Sequence, residues 1–198
     1  LGGVCRISAR IEAPGHIVHS AIEPSITFGE QNDGRTARVD SLLAALTAAG
    51  IRATVAANIA VATWEKFALI ATWSGIGSVT RVPIGEWRTV PGTRRMAEAC
   101  LREIVAVAHA REVPLEKRRT MAVMDTFDSV PPDSQASMQR DVLAGRPSEL
   151  EAQNGAVVRL GEEPALGEVQ ARDVGEGRCG GADEDVVEPL PPARDRLD

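Results

Sequence analysis

The spacing of apolar residues changes once along this chain, near residue 58, and that change limits the folds open to it. Before it, the apolar positions come in short runs with a period near two. Val4, Ile7, Ala9 and Ile11 are interleaved with Arg6, Ser8 and Arg10, which predicts a strand from Val4 to Ile11. Pro14-Gly15 reads as a turn. His16–Ile22 and Ser25–Phe28 read as two further strands, and Ile51–Val55 as a last one. Between them, Leu42, Leu43, Leu46 and Ala49 share one helical face, and Gly50 stands where a helix-ending residue with positive φ belongs. From Asn58 onward the period is that of a helix. Ile59–Trp73 is an Ala-rich helix that Gly75 and Gly77 are expected to break. Thr93–Arg111 and Leu115–Phe127 follow as amphipathic helices, and Pro131-Pro132 stops the second. Ser134–Leu143 is a shorter helix. Ser148 with Glu151 three residues on is a capping box that opens a last helix, reaching about Leu160. The pattern is a small β-rich start followed by an all-α body of about five helices.

Composition excludes several functions. A chain of 198 residues suits one domain or one and a half. Tyr is absent and aromatics total 3%, so the core must come from Ala, Val, Ile and Leu, and base-stacking platforms are not expected. A net charge of −6 argues against general nucleic-acid binding. No apolar run is long enough to span a bilayer, and no secretory leader is visible. Cys5, Cys100 and Cys179 are far apart and form no CxxC pair, so neither a disulfide framework nor a zinc site is indicated. A reducing, cytoplasmic setting is the expectation. The first residue is Leu1, not Met, and strand-like sequence follows at once, which reads as a trimmed chain or a piece of a longer one. Residues 161–198 hold 11 acidic and 4 basic side chains, with six Gly and four Pro. They bury too little apolar area to offset ordering and are expected to be a disordered tail that arises from a reading-frame shift near Gly161.

Candidate chemistry is sparse. Gly175, Gly177 and Gly180 have the spacing of a dinucleotide fingerprint, but they lie in the acidic tail without the strand and helix it requires. His16 and His19, three apart in a strand, face opposite sides and make a poor metal pair. Lys117-Arg118-Arg119 and Arg94-Arg95 read as solvated surface. Lys66 is more informative. It sits inside the most apolar helix, between Trp64, Phe67, Ala68 and Leu69. It either snorkels to the surface or faces a cleft as a protonated donor, suited to a carbonyl oxygen that becomes a hydroxyl. Downstream lie Ser137-Met138, Asp141, the run Gly145–Glu151, and Asn154-Gly155. Glu149 is expected in a first helical turn, where the helix dipole alone would favour a carboxylate.

Trp64-Glu65-Lys66-Phe67, then Ser137-Met138 with Asp141, then Glu149, Asn154 and Gly155 resemble the C-terminal domain of the ketopantoate reductase (2-dehydropantoate 2-reductase) family. Gly2-Gly3-Val4, Pro14-Gly15-His16-Ile17 and Phe28-Gly29-Glu30 resemble the end of that family's cofactor domain. The resemblance covers about residues 1–160. It implies reduction of 2-ketopantoate to pantoate with NADPH, on the route to coenzyme A. It places Lys66 on the catalytic proton donor, Ser137 on the serine that contacts the substrate carboxylate, and Glu149 on the acidic residue that hydrogen-bonds substrate.

The chain also departs from that pattern. The glycine-rich phosphate turn is missing. The family's asparagines one and two turns after the lysine are Ile70 and Ser74 here, and a third is Ile84. Ser74 keeps a hydrogen-bonding group for substrate; Ile70 and Ile84 do not, which points to a different 2-keto acid. The family's terminal helix is replaced by the acidic tail. The expected fold is α+β: residues 1–57 as the incomplete end of an NADP-binding, Rossmann-type domain, residues 58–160 as a helical substrate domain like that of 6-phosphogluconate-dehydrogenase-like reductases, and the tail. The expected function is a truncated, NADPH-dependent 2-keto acid reductase, inactive alone, with a small keto acid and a possible second copy as partners and neither nucleic acid, membrane nor metal. The alternative is a non-enzymatic helical module, a relic without cofactor binding. Lys66, Ser137 and Glu149 come from three separate segments, and only a shared cleft would make them one site.

Overall fold

The computed structural model describes residues 1–19, 23–32 and 34–163. Five strands and one helix form the first part: β1 (Gly2–Arg6), β2 (Ala9–Ala13), β3 (His16–His19), β4 (Ser25–Gly29), α1 (Ala37–Ala48) and β5 (Arg52–Val55). β1, β4 and β5 make one sheet in that order. β1 runs antiparallel to β4, and β4 runs parallel to β5 through the α1 crossover. A parallel pair needs such a crossover, and α1 supplies it. The segment Val4–Ile11, expected as one strand, is two. Its first part pairs with β4, whereas Ala9–Ala13 turns away to pair with β3 around Pro14-Gly15. Gly15 has φ +76°, the left-handed conformation the turn requires. The third strand stops at His19, and residues 20–22 lie outside the described residues.

Six helices follow among the described residues: α2 (Ile59–Thr80), α3 (Ile84–Trp87), α4 (Pro91–Ala110), α5 (Lys117–Ser129), α6 (Ser137–Leu143) and α7 (Asn154–Glu162). The single-turn α3 has no counterpart in the periodicity, because four residues cannot display a period of 3.6. α2 is the axis of the body. Asn58 caps its N-terminus by accepting a hydrogen bond from the Val61 N–H at 2.9 Å. It is apolar all round, as a helix enclosed by neighbours should be, and it packs against β1, β4 and α3 to α6.

Gly75 and Gly77 do not break α2; it continues to Thr80 and ends at Arg81 in the left-handed conformation. The two glycines are close-approach points. A Cβ on Gly75 would lie 2.7 Å from Nδ2 of Asn154 on α7, and one on Gly77 would lie 2.4 Å from Oε1 of Gln139 on α6. The cost of glycine inside a helix is offset by letting two helices cross α2 at short range.

The core lies between α2, α3, α4 and α5. Trp87, Phe127, Ile84, Ile104 and Ala97 are buried there. The Phe127 ring meets both Trp87 and Trp73 edge-on, at centroid distances of 5.4 and 6.4 Å, an arrangement that aromatic quadrupoles favour. Arg88 ties off α5 by donating to the carbonyls of Phe127 and Val130 at 2.6 and 2.7 Å, a cation at a helix C-terminus. Arg94, expected to be plain surface, joins α4 to α5 through both carboxylate oxygens of Asp128, at 2.7 and 2.8 Å.

The capping box at Ser148 is not formed. Residues 149–153 make a turn, and α7 begins at Asn154 with Gln153 as its N-cap. Glu151 instead receives a hydrogen bond from Arg159 at 3.1 Å. Glu149 therefore lies outside the first helical turn, and the helix dipole does not account for it. α7 runs two residues beyond the expected Leu160. The remainder of the acidic segment, 164–198, lies outside the described residues. No described helix is long and apolar enough to cross a membrane.

Candidate active site

Lys66 reaches out of the helical body toward the sheet. Its Nζ donates to the carbonyl of Cys5 at 2.5 Å, across 61 residues of sequence. The packing of α2 on β1 explains the reach. Gly2 lies against Ile59, where a Cβ would come within 3.0 Å of the Ile59 side chain. Seven helical residues from Ile59 to Lys66 rise about 10.5 Å, and three strand residues from Gly2 to Cys5 span about 10 Å. The two elements run side by side in the same direction, so the lysine meets the last residues of β1. Gly29 makes the matching approach from β4, with Ile59 at 3.5 Å from its Cβ position. Lys66 is half-buried, and its ammonium stands at the seam between the sheet and the helical body.

The remaining site candidates sit on elements that converge on α2. Ser137 is the first residue of α6, and its side chain is exposed. α6 lies against α2 through Gly77, three turns after Lys66. At about 100° and 1.5 Å per residue, Gly77 lies about 20° around α2 from Lys66 but about 16 Å further along it, so α6 sits on the same side of α2 and well along the helix from the lysine. Glu149 is exposed in the turn that leads into α7. α7 is docked on α2 by Asn154, whose Nδ2 donates to the Ala71 carbonyl at 3.2 Å. Among the described residues, neither the Ser137 hydroxyl nor the Glu149 carboxylate has a side-chain partner.

Ser74 differs from these. It is fully buried, and its Oγ has no hydrogen-bond partner. It lies within the helix packing, not on an open surface. Ile70, one turn after Lys66, is half-buried, and Ile84 is fully buried in the core. Asp141 and Arg146 form a local clamp, at 2.6 and 2.9 Å, around the turn that Gly145 makes with φ +66°. Asn154 and the Asp141–Arg146 pair thus have structural work. Ala71 and Gly75, where Asn154 docks, lie about 140° and 180° around α2 from Lys66, so α7 is seated on the far face of α2, and no direct contact joins Lys66, Ser137 and Glu149 among the described residues. No local signal could have shown the Cys5 carbonyl as the partner of Lys66, because a backbone oxygen in a distant strand carries no sequence mark.

Other features lie apart from this set. A cavity of about 510 Å³ between α4 and α5 is lined mainly by Leu101, Val105, Leu115, Met121 and Met124, and includes none of the site candidates. Cys5 and Cys100 are free thiols. Burial raises the Cys100 thiol above its usual pKa. No group of three metal-ligating side chains occurs among the described residues. Glu30, at the end of β4, is held by Arg38 at 2.5 and 2.7 Å and by Thr36 at 2.5 Å. Chiefly the Arg38 hydrogen bonds lower its pKa to about 2. It is therefore a firmly charged carboxylate at the start of α1.

The family model described as ketopantoate reductase PanE/ApbA C terminal matches residues 58–166. An uncharacterized oxidoreductase of Bacillus subtilis, YkpB, is 26% identical over 166 residues, covering 84% of this chain and 55% of its own length. A 2-dehydropantoate 2-reductase of Halobacterium salinarum is 30% identical over 156 residues, covering 76% of this chain and 49% of its own. The crystal structure of 2-dehydropantoate 2-reductase from Methylococcus capsulatus superposes with a TM-score of 0.71 at 26% identity, over 88% of this chain and 59% of that one. The chain spans about half the length of the curated relatives it matches. The family match takes in α2, α6 and α7, the three elements on or beside which Lys66, Ser137 and Glu149 lie, and the chain belongs to the ketopantoate reductase family.

Proposed function

We propose that this chain provides the keto acid side of an NADPH-dependent reductase that converts a 2-keto acid, 2-dehydropantoate or a close analogue, to the 2-hydroxy acid. The observation that carries this reading is Lys66: a half-buried ammonium aimed across the seam between sheet and helices, held among the described residues by a backbone carbonyl. A carbonyl oxygen is a weak, neutral acceptor. A substrate oxygen gaining negative charge competes well for the same proton. Lys66 is therefore the general acid toward the keto oxygen. Ser137, exposed at the start of α6, donates to the substrate carboxylate. Glu149 accepts from a substrate hydroxyl. Ile70, one turn from Lys66, presents a methyl-bearing side chain to that region and favours an apolar substituent on the keto acid.

The strand-to-helix turn from β4 to α1 does not fit the phosphates of NADPH: it holds the ionised Glu30 carboxylate near the helix start, where a dinucleotide's phosphates need N–H donors and no anion. The nucleotide would be held by other residues, and this chain titrated with NADPH should show weak binding or none by nucleotide fluorescence. Micromolar affinity would contradict that part of the reading. For the chemistry, the test is Lys66→Ala in this chain joined to the nucleotide-binding half of a relative. Turnover of 2-dehydropantoate should fall by roughly 10²–10⁴ with an unchanged circular dichroism spectrum. An unchanged turnover would remove Lys66 from the mechanism.

A further inference from the structure

The two faces of the sheet are told apart by its glycines. Gly2 and Gly29 are partners across β1 and β4, and the Cβ position of each lies against Ile59 of α2. Gly3 has its Cβ position against Phe28 instead. Side chains alternate along a strand, so Val4 and Arg6 share the α2 face with Gly2. Arg6 ends β1 and is exposed. It directly follows Cys5, whose carbonyl accepts from the Lys66 ammonium at 2.5 Å. A peptide unit is planar and trans, so a carbonyl oxygen lies about 2.8 Å from the Cα of the next residue. The Lys66 ammonium therefore stands within about 5 Å of the Arg6 Cα, inside the reach of an arginine side chain. Among the described residues, Arg6 has no hydrogen-bond or salt-bridge partner, and no salt bridge joins Lys66 to a carboxylate. Two cations this close repel each other, and a small anion between them relieves the repulsion.

We infer that Arg6 binds the carboxylate of the 2-keto acid and so selects an acid over a neutral ketone. This rests on the reading of Lys66 as the donor to the keto oxygen. In a 2-keto acid the carboxylate is bonded directly to the keto carbon, so the group that binds it must stand beside the proton donor. Arg6 meets that requirement through a single peptide unit. Its forked N–H donors can reach both carboxylate oxygens at once, and it supplies the charge that the Ser137 hydroxyl, a neutral donor, lacks. With the carboxylate held there, the keto oxygen is next to the ammonium, which exchanges the Cys5 carbonyl for it. A neutral ketone of the same shape would leave the two cations facing each other.

The test is calorimetric titration of the full chain with 2-dehydropantoate and with its uncharged amide, with circular dichroism to establish folding. Arg6→Gln should weaken binding of the acid about tenfold and leave binding of the amide unchanged. Arg6→Lys keeps the charge without the fork and should recover part of the loss; it serves in the same comparison if Arg6→Gln does not fold. The native chain's preference for the acid should shrink as salt is raised, and that dependence should flatten in Arg6→Gln. An equal loss for acid and amide would make Arg6 a structural residue, and an unchanged affinity for the acid would put the carboxylate elsewhere. Either result overturns the inference and leaves the keto acid reading intact. An absence of acid binding by the unaltered chain would remove the keto acid reading, and the inference with it.

Discussion

The two halves of this molecule are held together by different means. In the helical body, side chains interlock: Trp87, Phe127, Ile84 and Ile104 are buried around α2, and glycines admit α6 and α7 at short range. In the β-rich part, Phe28 and Val39 are the buried apolar side chains among the described residues before α2. Ile11 and Ile17, paired across the β2–β3 hairpin, are 76% and 71% exposed. That part relies on backbone ladders and on polar ties such as Glu30 with Arg38 and Thr36. A two-stranded hairpin with both faces open is marginal in water. The contrast shows why Lys66 is where it is. A rigid helix anchored in the better-packed half carries the ammonium, and the sheet offers it the Cys5 carbonyl.

The comparison can be broken most forcefully in the helical core. Phe127→Ala removes a ring that touches two tryptophans and should cost about 3–5 kcal/mol in urea unfolding. A loss below 1 kcal/mol would mean that the core is not the main support. Gly85→Ala should follow. Its new Cβ would stand 2.4 Å from Cβ and 2.8 Å from the backbone of Pro132, and backbone cannot step aside, so overpacking should cost about 1–3 kcal/mol. In the sheet the expected lever is pH. The Arg38 and Thr36 hydrogen bonds hold the Glu30 carboxyl at about 2, well below its ordinary 4.5. A depressed acid stabilises the native state above its unfolded pKa, and that support fades as pH falls from about 4.5 toward 2. Thermal melts of the native chain should lose stability across that window more steeply than those of Glu30→Gln; parallel curves would show that the ion pair contributes nothing. The smallest effect belongs to the hairpin. Ile11→Thr on its open face should change stability by no more than about 0.5 kcal/mol, and a larger loss would reveal a hidden packing partner.

Much of this architecture was legible because it is local. The change to helical period at Asn58, the αL glycine Gly50 after α1, the Pro14-Gly15 turn and the amphipathic face of α4 each depend on residues within a turn or two of one another. The errors arose where distant residues overrode local preference. Gly75 and Gly77 carry a helix-breaking composition, but Asn154 and Gln139, which cross α2 from elsewhere in the chain, need their bare backbone. Ser148 and Glu151 have the spacing of a capping box, but Glu151 is engaged by Arg159 and the helix starts three residues later. The run Val4–Ile11 alternates like one strand, yet its halves pair with different partners.

The candidate site divides along the same line. That Lys66 is an ionisable group in an apolar helix follows from the sequence alone, because helical periodicity and side-chain chemistry are properties of neighbours. So does its resemblance to a reductase lysine, through Trp64-Glu65-Lys66-Phe67. What Lys66 faces does not follow. The choice between snorkelling and reaching into a seam was made by the close fit of Gly2 and Gly29 on Ile59, which lays α2 along β1 and brings Cys5 to the ammonium. The burial of Ser74 and the grip of Gln139 on Gly77 were likewise set by how three helices cross. Contacts between residues far apart in sequence leave no periodic trace, since each depends on the summed geometry of every element between them.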